Sequence, residues 1–366
     1  MVGNLQRAML LIGGILIAAM AGAEQRIDVG AEYFGSNDVG LSQGNANWRW
    51  ERPDRGLIGE VSVAFNRFNL DYQPVPFDFR GASSELTEIS RALQTNLRWR
   101  TREDWQWIGS AGVYDGYTNY RSIWLAEYFR QQFEPLGATA PDSYVRPDPK
   151  GVSAGAGFRW EYVPASGFLE LVVTGLRDEV APGYEIDFDG LRRGRERLNG
   201  LGISVSTENV LSSRVRSRVQ VSATRVSERN WRISGEGAVN VALAENLVGR
   251  LSMGGATEDP QFGAWYGQAV VDWELSERWA LFASGRYYVD TGEIEDALLF
   301  TSAAPGVISR RIEAGLRWAG ASTSIRLAAG RMRSDYEPTN PRTDFFQNLY
   351  QDRNWTVVQL TLTRGF

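Results

Sequence analysis

The chain has 366 residues, no cysteine, no histidine and a formal net charge of −5 at pH 7. Without those two residue types there is no disulfide framework, thiolate metal site, His-ligated zinc or histidine general base. An acidic balance also lacks the basic footprint that nucleic-acid binding requires.

In chain order, residues 1–23 read as a secretory signal peptide. Arg7 supplies the positive region, Ala8 to Met20 the apolar run, and Ala21-Gly22-Ala23 a small-x-small cleavage site. Removing that segment leaves 38 basic residues against 44 acidic ones. No later stretch is apolar enough for a membrane helix, although 12% of residues are aromatic. A closed barrel hides its hydrophobicity by alternating apolar and polar residues, and it shows such a polar average.

From Gln25 onward, alternating segments are separated by turn-rich breaks. The pattern predicts strands near 25–35, 44–52, 56–73, 86–101, 104–118, 150–163, 166–178 and 196–209. It continues with 212–226, 229–243, 246–257, 260–274, 277–291, 307–319, 321–335 and 353–366. The segment 44–52 is the weakest, since only Trp48 and Trp50 alternate against Arg49 and Glu51. Within 56–73, Val61, Val63 and Phe65 share one parity while Phe68, Leu70 and Tyr72 take the other, so a β-bulge is expected near Asn66-Arg67. The fold class is therefore all-β: one closed antiparallel transmembrane barrel over 24–366, of sixteen strands, or fourteen if 25–52 is not a hairpin.

The last strand alternates Val358, Leu360 and Leu362 against Gln359, Thr361 and Thr363, and it ends on Phe366. Counted back from that end, breaks should alternate long on one rim and short on the other. Long breaks fall at 74–85, 119–149, 179–195, 292–306 and 336–352, and short ones at 101–104, 163–167, 244–246, 276–278 and 319–321.

Parity then sorts the side chains. Ile89, Leu93, Leu97, Trp99, Trp265, Val271, Ile312 and Leu316 belong to a lipid-facing set, with tryptophans near strand ends as an interfacial girdle. The opposite set is charged: Arg98, Arg100, Arg159, Glu161, Arg214, Arg216, Arg218, Arg232, Glu236, Asp272, Arg286, Arg311, Glu313, Arg317 and Arg326. In hydrocarbon each would cost about 2–4 kcal/mol, so they are expected to line a pore or to pair across a blocked lumen.

Residues 121–133 of the longest break are helix-like, with Ile123, Glu127 and Arg130 at one spacing and Leu125, Phe129 and Phe133 at another. In strand count, in a long third outer loop and in the terminal Phe366, the chain resembles the general porins of Gram-negative outer membranes. That resemblance implies an inward-folded loop 119–149 with Arg121, Glu127, Arg130 and Glu134 at a constriction; a surface flap is the other reading. It also implies recognition of Phe366 by the barrel-assembly machinery, contact with outer-membrane lipid and lipopolysaccharide, and a homotrimer. Acidic Asp335, Glu337, Asp344 and Asp352 near the last loop could hold lipopolysaccharide-bridging cations, or simply be solvated.

The functional expectation is a Gram-negative outer-membrane channel for passive diffusion of small hydrophilic or charged solutes. A structural or assembly barrel with a blocked lumen is the alternative. No enzyme, catalytic residue, metal or cofactor is expected, and no nucleic-acid partner.

Overall fold

A computed structural model describes residues 24–72, 84–117, 149–180, 184–187, 190–193, 196–227, 230–259, 262–292, 306–336 and 351–365. The predicted signal peptide and Phe366 lie outside these residues.

Sixteen strands form one closed antiparallel barrel. They are β1 (Glu24–Gly35), β2 (Val39–Arg52), β3 (Leu57–Tyr72), β4 (Ser84–Arg102), β5 (Trp105–Asp115), β6 (Lys150–Val163) and β7 (Gly167–Val180). A separate two-strand hairpin, β8 (Tyr184–Asp187) and β9 (Gly190–Arg193), leaves the wall before β10 (Glu196–Ser212). The wall continues with β11 (Val215–Val226), β12 (Arg232–Ala244), β13 (Leu247–Glu258), β14 (Phe262–Glu274) and β15 (Trp279–Asp290). It ends with β16 (Val307–Ala319), β17 (Thr323–Tyr336) and β18 (Arg353–Gly365). Each wall strand pairs with its neighbours in sequence, and β18 closes on β1 from Arg26↔Gly365 to Gly35↔Thr356. Closure satisfies the backbone groups an open edge would leave unpaired in lipid.

The connections segregate by rim. One rim carries only tight turns, such as the 3-10 turn Pro53–Arg55, which Gly56 ends at φ +59, in the left-handed region that favours glycine. Register shifts at Arg100/Arg102, Glu161/Val163, Val210/Ser212 and Ala242/Ala244 all sit beside such turns, where bulges commonly sharpen the bend of a barrel rim. The opposite rim receives the five long connections expected from the sequence. It also carries three short ones, after β1, β11 and β13, so the length alternation is partial.

Two local expectations are corrected. Strand β2 begins at Val39 rather than near residue 44, because Gly40, Ser42 and Gly44 take outward positions and blur the apolar alternation. No bulge occurs near Asn66-Arg67, since β3 runs in unbroken register with both β2 and β4. The parity switch instead marks where β3 outruns the apolar band. Beyond Phe65 the outward positions become Arg67, Asn69 and Asp71, while the inward Phe68 and Leu70 are each 1% exposed.

Candidate functional site: the barrel interior

Opposed residues in an antiparallel ladder share a face, so the register carries one face around the whole ring. Ion pairs that skip strands identify which face is concave. Arg98 on β4 reaches Glu170 on β7 at 3.3 Å, and Arg159 on β6 reaches Glu208 on β10 at 3.6 Å. Adjacent strands lie about 4.8 Å apart, so side chains separated by two or three strands meet only where the wall curves toward them. Arg311 on β16 likewise reaches Glu32 on β1, and Arg317 on β16 reaches Glu274 on β14.

On this criterion the predicted interior residues Arg98, Arg100, Arg159, Glu161, Arg216, Arg218, Arg232, Glu236, Asp272, Arg286, Arg311, Glu313, Arg317 and Arg326 all occupy the interior face of the wall. Arg214 keeps their parity but belongs to the turn before β11. The outward face carries Leu251 (64% exposed), Met253 (68%) and Ile312 (73%). Trp48, Trp50, Trp99, Trp107, Trp160, Trp273, Trp279 and Trp318 point outward near the turn rim. On β16, outward Trp318 and Arg310 bound the apolar stretch. Eight residues at about 3.4 Å each, tilted by about 40°, give roughly 20 Å along the barrel axis, close to the apolar band of an outer-membrane barrel.

The interior charges are grouped rather than evenly mixed. Near β4–β10, Arg159 bridges Glu170 and Glu208 and stacks over Phe168 at 4.1 Å. Near β16–β1, Arg311 is held by Glu32 and Glu313, with Gln359 donating to Glu32 and Ser284 donating to Glu313. Near β12–β14, Arg232 pairs with the buried Glu258 at 2.9 Å. Arg216, Arg218 and Arg250, by contrast, have no described carboxylate at ion-pair distance.

One part of the interior is not polar. Toward the loop rim, inward-facing Val39, Phe68, Leu70, Trp355 and Val357 are between 0% and 3% exposed. Here the Trp355 indole donates to Ser334, and the Arg353 guanidinium forks onto Asp38. Sequence reasoning missed this cluster. Its one sequence signal is the inverted parity of Phe68 and Leu70, which in an isolated strand reads as a bulge.

The constriction candidates Arg121, Glu127, Arg130 and Glu134 lie outside the described residues, as do Glu337 and Asp344 of the last loop. Of the other acidic residues there, Asp335 pairs with Arg333 and Arg310, and Asp352 accepts from the Tyr336 amide. Among the described residues no cluster of three metal-ligating side chains occurs.

No protein-family model matches the chain, and no characterised protein matches it in sequence. Among solved structures it is similar to CdiB from Acinetobacter baumannii, with a TM-score of 0.56 at 10% identity over 93% of this chain and 60% of that one. It is also similar to a bacterial polysaccharide outer membrane secretin, with a TM-score of 0.50 at 9% identity over 94% of this chain and 98% of that one. This chain thus spans about 60% of the length of CdiB. At such identities the likeness is one of fold. The chain has the architecture of a bacterial outer-membrane β-barrel.

Proposed function

We propose that this barrel resides in the outer membrane of a Gram-negative bacterium as a channel for passive diffusion of small hydrophilic or charged solutes. The observation that supports it is the separation of faces along the turn-rim side of a closed sixteen-strand ring: apolar and tryptophan-girdled outside, arginine- and carboxylate-bearing inside. A ring of this size is wider than its own side chains fill, so water and counter-ions occupy the space between the charged walls. Arg216, Arg218 and Arg250, which form no ion pair with a described carboxylate, would favour anions electrostatically. Phe366 serves in this reading as the tag by which the assembly machinery recognises the chain.

The buried apolar patch at the loop rim favours a second reading, a structural or assembly barrel whose lumen is closed at that level. Planar-bilayer recording separates the two. The channel reading expects stepwise ohmic conductance and a shift toward cations when Arg214, Arg216 and Arg218 are all changed to Gln. Folded protein that gives no steps above background supports the closed-lumen reading instead.

A further inference from the structure

The inner wall of β11–β15 carries two features that passive diffusion does not require. The first is a group of arginines without a described carboxylate at ion-pair distance, although Glu208 stands opposite Arg218 in the β10–β11 register. Arg216 and Arg250 sit on one register row with Asn240 between them, and Arg218 is one inward position further along β11. Their described side-chain partners are neutral amides: Arg250 donates to Asn240 at 2.6 Å and Arg218 donates to Gln220 at 3.2 Å. The contrast is with Arg98, Arg159 and Arg311, each matched by a carboxylate.

The second feature lies immediately beyond Gln220. An alcove of about 310 Å³ opens there, lined by amide, hydroxyl and carboxylate groups from Gln220, Ser222, Ser234 and Glu236. Its other side is formed by aromatic rings, those of Phe262, Tyr266 and Tyr288. Register places Gln220, Glu236, Gly254, Tyr266 and Tyr288 on a single row across five strands. Gly254 makes the row work. A Cβ there would come within 2.7 Å of the Tyr266 ring, which lies across β13, and within 2.8 Å of the Gly235 carbonyl oxygen. The Arg286 guanidinium stacks on the same ring at 4.7 Å from its centroid.

The guanidinium groups of Arg286 and Arg232 already face the Tyr266 and Phe262 rings, so the alcove offers aromatic edges beside closely set donors and acceptors, a mixture that suits the C–H groups and hydroxyls of a sugar ring. The volume is at the small end of ligand pockets, about 300 Å³, enough for a single ring rather than a large ligand. Arg218 is two residues from Gln220, about 7 Å along the strand, so a group on the next sugar would reach the arginines. Guanidinium groups suit carboxylates through paired, charge-assisted hydrogen bonds.

We propose that this wall binds an anionic saccharide, with one ring in the Gln220–Tyr288 alcove and the carboxylate of its neighbour on Arg216, Arg218 and Arg250. The proposal rests on the reading of the interior as hydrated, but it does not need the barrel to conduct.

The test is calorimetric titration of the full chain, folded in detergent, with oligogalacturonates and with their methyl esters, which keep the rings and lose the charge. Acidic oligomers should bind about tenfold tighter than the esters, the value of one lost charge-assisted contact. The triple change Arg216→Gln, Arg218→Gln and Arg250→Gln should abolish that difference, whereas Tyr266→Leu should weaken both series by removing the ring beside Gly254. Arg49→Gln, on the far side of the barrel, should alter neither. Heat-modifiable gel migration and circular dichroism report folding of each variant. Failure of both series to bind the folded wild type overturns the proposal. So does an acid preference that survives the arginine changes, or inorganic phosphate that binds as well as the oligomers. Conductance of the same preparation keeps the two claims apart: a barrel that conducts without binding contradicts the saccharide site alone, and one that binds without conducting contradicts the channel alone.

Discussion

At the scale of single residues, the arginines divide by what surrounds them. Arg353 is the most enclosed: its side chain is 2% exposed, Nη2 lies 2.6 Å and Nε 2.9 Å from Asp38, and Nη1 donates to the Gln351 carbonyl at 3.0 Å. The fork ties the start of β18 to the turn between β1 and β2, across the seam where the barrel closes. Because Asp38 is 28% exposed, part of the cost of unpairing it is screened. Arg353→Ala is therefore expected to lower unfolding stability by about 1–3 kcal/mol, less than a fully buried pair would lose. Arg353→Lys should recover only part, since an ammonium cannot reproduce the planar fork. Arg333, paired with Asp335 on the exposed outer face, should give no measurable change when replaced by Ala. Urea unfolding midpoints of the refolded barrel read all three. The Arg353–Asp38 fork is not legible in the sequence, because the two residues are neighbours only after the ring has closed.

At the scale of the strand, alternation alone tells which residues share a face, and it was sufficient for most of the wall. β11 shows why: Arg216, Arg218, Gln220, Ser222 and Thr224 oppose Val215, Val219 and Val221, and the register keeps that division on both neighbours. Legibility failed where a strand leaves the membrane. There the physical demand on each face reverses, so Phe68 and Leu70 pack inward while Arg67 and Asn69 face water. The same parity argument makes a stability prediction. Leu251 points outward in the middle of β13, and Leu251→Arg should destabilise the barrel in lipid by about 2–4 kcal/mol, the cost of an arginine near the bilayer midplane. Arg216→Leu, on the interior face of β11, should cost much less despite making the opposite change in polarity. Equal losses from the two substitutions, measured by reversible unfolding from vesicles, would reverse the assignment of faces.

For the whole molecule, strand number followed from counting alternating segments, and even parity follows from both described ends lying on the turn rim. Circumferential position was not legible. Whether Arg98 meets Glu170 or Arg311 meets Glu32 depends on how far round the wall each strand stands, a quantity with no sequence period. The alcove between β11 and β15 is of the same kind, assembled from five strands that each contribute one to three inward residues. The account of the molecule depends most on a hydrated interior, and β11 offers the most direct test because the chain has no cysteine of its own. Single cysteines placed in turn from 215 to 224 can be challenged with a membrane-impermeant thiol reagent in lipid vesicles. The expected result is rapid labelling at 216, 218, 220, 222 and 224, and protection at 215, 217, 219, 221 and 223. Labelling that ignores parity, or that spares the even positions, would contradict the account.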